Sequence, residues 1–178
     1  MAIASLATAG GSLLAIGYAG QRANQEEDSA FSLNNESTSG GLTINGQAGG
    51  IDFGIAVARG TGAGNCKVIA ADTDLPIGIT TRTTNMAVSS EGVVGYGVNA
   101  AVSILYLGDI YCTAYEAVNA GDPVLSITAQ GGKLAGNKGG LATGGRVAIP
   151  GASWVNAVAA GSVGLVRLTG VNNPRTTT

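Results

Sequence analysis

Ile51-Asp52-Phe53-Gly54-Ile55-Ala56-Val57-Ala58 places a bulky apolar side chain on every second residue. A two-residue period puts Ile51, Phe53, Ile55 and Val57 on one side of an extended chain and the small or polar residues on the other, so the stretch predicts a β-strand with one packed face. Working outward, shorter strand candidates lie at residues 66–70, 76–81, 102–107, 110–115, 124–128, 146–149 and 163–168. Gly108-Asp109, between two of these runs, has the chemistry of a tight hairpin turn, because glycine accepts positive φ. Ala120-Gly121-Asp122-Pro123 predicts a second turn, and Pro150 predicts the end of the 146–149 strand. Residues 152–160, with Trp154, Val155 and Val158, suit a strand or a short helix. Many short strands punctuated by Gly and Pro predict an all-β fold, a compact β-barrel or β-sandwich-like core.

Upstream the pattern breaks. Residues 1–50 hold Gly10-Gly11, the acidic Glu26-Glu27-Asp28, the polar run Asn34-Asn35-Glu36-Ser37-Thr38-Ser39 and two further Gly-Gly pairs. No sustained period survives these interruptions, so 1–50 reads as an extended N-terminal arm that a partner surface must order, offsetting roughly 1–2 kcal/mol of backbone entropy per residue. The division expected is an arm at 1–50, a β-rich core at 51–170 and a tail at 171–178. The first twenty residues are not read as a secretion signal, because no Lys or Arg precedes the apolar run and glycines interrupt it. They are also too short and glycine-broken to span a bilayer. Asn35-Glu36-Ser37 matches a glycosylation triplet, a pattern common by chance.

Composition narrows the chemistry. The 178 residues include 30 glycines and no histidine, which removes the side chain best suited to proton transfer near neutral pH and the commonest metal ligand. Charged residues are only 11% and the formal net charge is -2, so the chain has no basic footprint for nucleic acid. A surface so sparsely charged tends to associate. Cys66 and Cys112 lack a CxxC partner and are most simply core hydrophobes.

Three motifs invite a catalytic or ligand reading. Gly60-Thr61-Gly62-Ala63-Gly64-Asn65-Cys66-Lys67 resembles a phosphate loop, but Asn65 and Cys66 separate the last glycine from Lys67, so the expectation is an ordinary loop between strands. Asp72 and Asp74 sit just before Leu75-Pro76, where aspartate is a usual turn residue, and are expected to serve the turn rather than an acid–base pair. No serine lies in a G-x-S-x-G or S-x-x-K setting. The tyrosines at 96, 106, 111 and 115 and Trp154 are expected to anchor the core or an interface. The chain is therefore read as non-enzymatic, with no cofactor and no metal.

Several segments, taken in order, resemble phage structural cement proteins, the decoration subunits of capsids. They are Phe53-Gly54-Ile55-Ala56-Val57-Ala58-Arg59-Gly60-Thr61, Leu75-Pro76-Ile77-Gly78-Ile79-Thr80, Ala117-Val118-Asn119-Ala120-Gly121-Asp122-Pro123-Val124, Ile149-Pro150-Gly151-Ala152-Ser153-Trp154 and Ala159-Ala160-Gly161-Ser162-Val163-Gly164-Leu165-Val166-Arg167-Leu168. The resemblance implies a β-rich module, commonly oligomeric, that binds the outside of an assembled capsid. It implies the major capsid protein as partner; the sparse charge adds further copies of the chain itself, a trimer before a dimer, and the composition and glycine-broken N-terminus predict no nucleic acid and no membrane as partners. The implied location is the outer surface of the virion, after synthesis in the host cytoplasm. Tyr18, Arg22, Phe31, Arg59 and Trp154 are the candidate interface residues, of the aromatic and arginine types enriched at interfaces. The alternative function is a receptor- or glycan-binding β module of a virion fibre, which would need Tyr96, Trp154 and Asn156 brought together around a pocket.

Overall fold

The structure is a computed structural model that describes residues 17–23, 29–39, 41–83, 87–88, 92–136 and 145–171. Its strands are β1 (Ser29–Asn35), β2 (Leu42–Ile44), β3 (Gln47–Gly50), β4 (Ala56–Arg59), β5 (Asn65–Val68), β6 (Pro76–Thr80), β7 (Ala87–Val88), β8 (Val94–Gly95), β9 (Ala101–Thr113), β10 (Pro123–Ile127), β11 (Lys133–Ala135), β12 (Arg146–Trp154) and β13 (Val163–Thr169). Among the described residues, one 3-10 turn at Thr128–Gln130 interrupts them. The fold is all-β, as the alternating sequence predicts.

β9 organises the molecule. Its first half pairs antiparallel with β1 on one side and with β6 on the other. β6 pairs with β4 and β4 with β5, and a parallel pairing of β5 with β1 closes a five-stranded barrel. The second half of β9 pairs with β13, which leads through β12 and β10 to β11. A parallel bridge between Ala114 and Leu134 returns β11 to the end of β9. Closure of this kind pairs strand edges that would otherwise template association.

Side chains alternate between two cores. Val57, Ile77, Val102 and Ile104 fill the barrel with Phe53 and Tyr96. Ala56, Ala58, Ile79 and Leu105 point out of the same strands into a second core, where Trp154, Val166 and Leu168 cover them. All five residues of β6 are consequently buried. Burying each Val, Leu or Ile fully contributes about 1.5–3 kcal/mol. The predicted face of Ile51, Phe53, Ile55 and Val57 lies wholly in the barrel core, although only Ala56–Arg59 is strand; Ile51 makes a bridge to Tyr96 and the chain turns at Phe53-Gly54. At Gly78 a Cβ would collide with the Leu105 carbonyl oxygen, so a glycine is what lets β6 approach β9.

Three local expectations are corrected. Gly108-Asp109 is not a hairpin turn: β9 runs straight through it, because β13 pairs continuously with residues 107–113. Gly108, at φ 118, allows the strand to change direction there while the ladder persists. Pro150 does not end its strand, since β12 pairs with β10 at residues 146–148 and with β13 at 152–154. Proline is accommodated in the irregular stretch between partners, where no ladder donor is required. Within residues 1–50, Ser29–Asn35 forms β1 in the barrel wall, with Phe31 and Leu33 packed against its core, and β2 and β3 form a small hairpin. Residues 1–16, 24–28 and 40 of the proposed arm lie outside the described residues, as do 172–178 of the proposed tail.

Residues 20–23 lie along the second half of β9. Gly20 N–H donates to Tyr111 O at 2.8 Å, Tyr111 N–H to Gln21 O at 2.9 Å and Ala23 N–H to Asp109 O at 2.8 Å. The ambiguous stretch 152–160 is strand to Trp154, then a bend, then a bridge from Val158 to Val118.

Candidate functional site

The phosphate-loop candidate is a loop joining β4 to β5, and a carboxylate of the same chain fills it. Glu36 accepts hydrogen bonds from Thr61 N–H at 2.5 Å, Thr61 Oγ1 at 2.9 Å and Asn65 Nδ2 at 2.9 Å. The Thr61 amide, then the Asn65 side chain, hold its pKa below the ordinary glutamate value. The donors that would cradle a phosphate are thus committed to Glu36.

Asp72 and Asp74 serve turns, as expected. Asp74 accepts from the Ala70 and Ala71 amides at 2.8 and 2.9 Å and pairs with Lys67 at 2.6 Å. Burial pushes its pKa up, but the Lys67 ammonium and the two amides outweigh that and leave it lowered. Asp72 instead accepts from Gly145 N–H and Thr128 Oγ1. Cys66 and Cys112 are free and buried. Desolvation, reinforced by Glu36, pushes the Cys66 thiol up to about 12, and desolvation raises Cys112 as well, so neither is a nucleophile. Among the described residues no group of His, Cys, Asp and Glu is placed to hold a metal ion. No helix among them is long and apolar enough to cross a membrane.

The aromatic residues divide. Tyr96 lies in the barrel core and donates its hydroxyl to Thr81 O at 2.7 Å, whereas Trp154, 1% exposed, lies in the other core with its indole N–H on Ala135 O at 3.2 Å. Asn156 uses its side-chain oxygen to accept the Leu165 amide. The three residues of the glycan alternative are therefore not assembled around one pocket. Of the five candidate interface residues, Tyr18, Arg22 and Arg59 are exposed and Phe31 is half-buried against Tyr106. Trp154 serves the core and not the surface.

The surface feature the structure does assemble is a pair of adjoining cavities of about 390 and 440 Å³ that share Asp52, Ile55 and Lys133. The larger is lined also by Ala19, Phe53, Gly54 and Tyr115. At one rim the Arg82 guanidinium lies 5.4 Å from the Phe53 ring centroid and 6.0 Å from that of Tyr18. The Arg82 amide donates to Gly20 O at 2.6 Å, which fixes residues 17–23 beside it. At the other rim the Lys133 ammonium lies 5.6 Å from the Tyr115 ring. Between them Asp52 accepts the Phe53 amide at 2.7 Å. Burial raises its pKa, against the opposing pull of that amide, Lys133 and Arg82.

Sequence reasoning named Tyr18 and counted Tyr115 among the core or interface anchors, but did not bring Arg82 and Lys133 together with them on this surface. Their spacing along the chain carries no motif, since they come from the ends of separate strands. Only the folding of residues 17–23, β6, β9 and β11 around Phe53 brings them together.

The sequence matches the family described as "Structural cement protein (E217 gp24/Pam3 gp6)" over residues 7–169. Among solved structures, a chain from "The capsid of Myoviridae Phage XM1" has the same fold, with a TM-score of 0.58 and 20% identity, covering 87% of this chain and 91% of that one. No curated protein matches the chain.

Proposed function

The chain belongs to the structural cement protein family, and from that premise we propose that it binds the outside of an assembled phage capsid and ties neighbouring major capsid subunits together. The observation that carries this reading is the family match, which spans nearly the whole described body. Physical features support it. A low-charge surface suits repeated apolar and backbone contacts, and each copy need bind only modestly when many contacts act together on one shell. In this reading the protein catalyses nothing, uses no cofactor, contacts neither nucleic acid nor membrane, and resides on the outer face of the virion after synthesis in the host cytoplasm. It associates with itself, as a trimer before a dimer. Because Ser29–Asn35 is part of the barrel and residues 20–23 pair with β9, the partner-ordered arm is taken as residues 1–16.

Co-sedimentation of the purified chain with capsids stripped of decoration tests the reading. Saturable binding to intact shells, with none to unassembled capsid subunits, is expected; failure to bind shells overturns it. Deleting residues 1–16 should leave the melting temperature unchanged and weaken attachment. Light scattering on the free chain and the decorated shell should give a trimer, and a monomer in both settings overturns the oligomer.

A further inference from the structure

Exposed aromatic rings and cations outside ion pairs meet at the larger cavity. Four large hydrophobic side chains are exposed among the described residues; of these, Tyr115 at 45% lines the cavity and Tyr18 at 72% adjoins its lining residue Ala19. Of the described cations, Lys67, Arg146 and Arg167 are held in ion pairs, whereas Arg22, Arg59, Arg82 and Lys133 are in none. Of these four, Arg82 lies against the rings of Phe53 and Tyr18, and Lys133 against that of Tyr115; Phe53, Tyr115 and Lys133 line the cavity. The one carboxylate between them, Asp52, already accepts the Phe53 amide. In a chain of net charge -2, this face offers two unpaired cations around an apolar depression.

We propose that the face of Tyr18, Arg82, Tyr115 and Lys133 is the docking surface for an acidic loop of a capsid subunit. The proposal rests on the capsid-binding reading and names the surface within it. Carboxylates of the loop pair with Arg82 and Lys133, and an apolar side chain enters the cavity against Phe53 and Ile55. Arginine and tyrosine are the residue types that dominate interface energetics. Stacking on the rings holds both cations in place before the partner arrives, which reduces the side-chain entropy lost on binding.

Arg82→Glu and Lys133→Glu should each weaken binding to stripped capsids at least tenfold, while Ala63→Glu, at an exposed position in the loop joining β4 to β5, changes it less than twofold. Unchanged melting curves would show that the variants fold. On decorated shells, a zero-length carbodiimide should join the Lys133 amine to an Asp or Glu of the capsid protein, read by mass spectrometry. Wild-type binding by both glutamate variants overturns the proposal, as does a Lys133 that couples only to another copy of this chain. If the wild-type chain fails to bind shells, the capsid reading falls and the surface is tested alone. Resonances of Arg82 and Lys133 should shift with acetyl-Gly-Glu-Val-Glu-Gly-amide and not with its lysine counterpart; equal response to both peptides overturns the acidic preference.

Discussion

Val118 and Val158 exchange both of their backbone hydrogen bonds, N–H to C=O at 2.9 Å one way and 3.0 Å the other. The reciprocity extends around them. Gly121 N–H donates to Trp154 O and Gly161 N–H to Ala114 O, both at 2.7 Å; Trp154 N–H donates to Asp122 O and Ala114 N–H to Ser162 O, both at 2.9 Å. Residue 118 corresponds to 158, 121 to 161 and 122 to 162, a constant offset of forty positions. The chain therefore carries an internal two-fold, in which Ala117-Val118-Asn119-Ala120-Gly121 meets Ala157-Val158-Ala159-Ala160-Gly161.

Because both valines are buried in the same core and bonded to each other, Val118→Ala and Val158→Ala should each destabilise by about 1–3 kcal/mol. The double variant should cost measurably less than the sum, since contacting residues couple by about 0.5–3 kcal/mol. Denaturant titration of the four proteins provides the cycle; strict additivity would contradict the coupling.

Trp154→Ala removes a side chain 1% exposed and its bond to Ala135 O. A loss of about 3–5 kcal/mol is expected by chemical denaturation. Capsid affinity, measured where the variant is folded, should stay within twofold, because the indole does not reach the surface.

Gly78→Ala drives a Cβ into the Leu105 carbonyl oxygen, and backbone cannot yield as a flexible side chain can. The expected cost is about 1–3 kcal/mol or more, with faster amide exchange along β6. Wild-type stability would show that the two strands can part without penalty.

Glu36 has a lowered pKa, so its hold on the loop is complete above the ordinary glutamate range and is lost as pH falls through the depressed folded value. The Thr61 amide should be protected from exchange at neutral pH and should lose protection only in acid, below the ordinary glutamate range. In Glu36→Gln that acid step should vanish; its persistence would assign it to another carboxylate.

Capsid occupancy should fall by less than about tenfold between roughly 0.1 and 1 M salt, because few screened pairs contribute beside apolar burial. Chelators should not release the subunit. Gel quantification of pelleted shells measures both, and a steep salt dependence would point to an interface built mainly on Arg59, Arg82, Arg146 or Arg167.

The period of Ile51, Phe53, Ile55 and Val57 reads correctly as a packed face because a two-residue alternation depends only on which side meets a core. The strands at 76–80, 123–127 and 163–169 were legible for the same reason. Gly108-Asp109 misleads because turn chemistry is local, whereas the pairing of β13 across it is not. Pro150 misleads likewise, since an irregular stretch between two partners removes the need for its missing donor. The forty-residue repeat was written in the sequence, but short Ala, Val and Gly strings carry little signal until their hydrogen bonds are seen. The site was the least legible part: Tyr18 stood out as an aromatic, while nothing in the spacing of Arg82, Tyr115 and Lys133 shows which cations lack a carboxylate.

β9 belongs to both halves of the molecule, and that makes it a tie rod. A pull on one half is carried to the other along covalent backbone, through Gly108, instead of across a peelable seam. Tension along β9 would shear its flanking ladders, loading their hydrogen bonds together rather than one after another. A subunit fastened to a shell that swells from within would resist as a strap does, in its length.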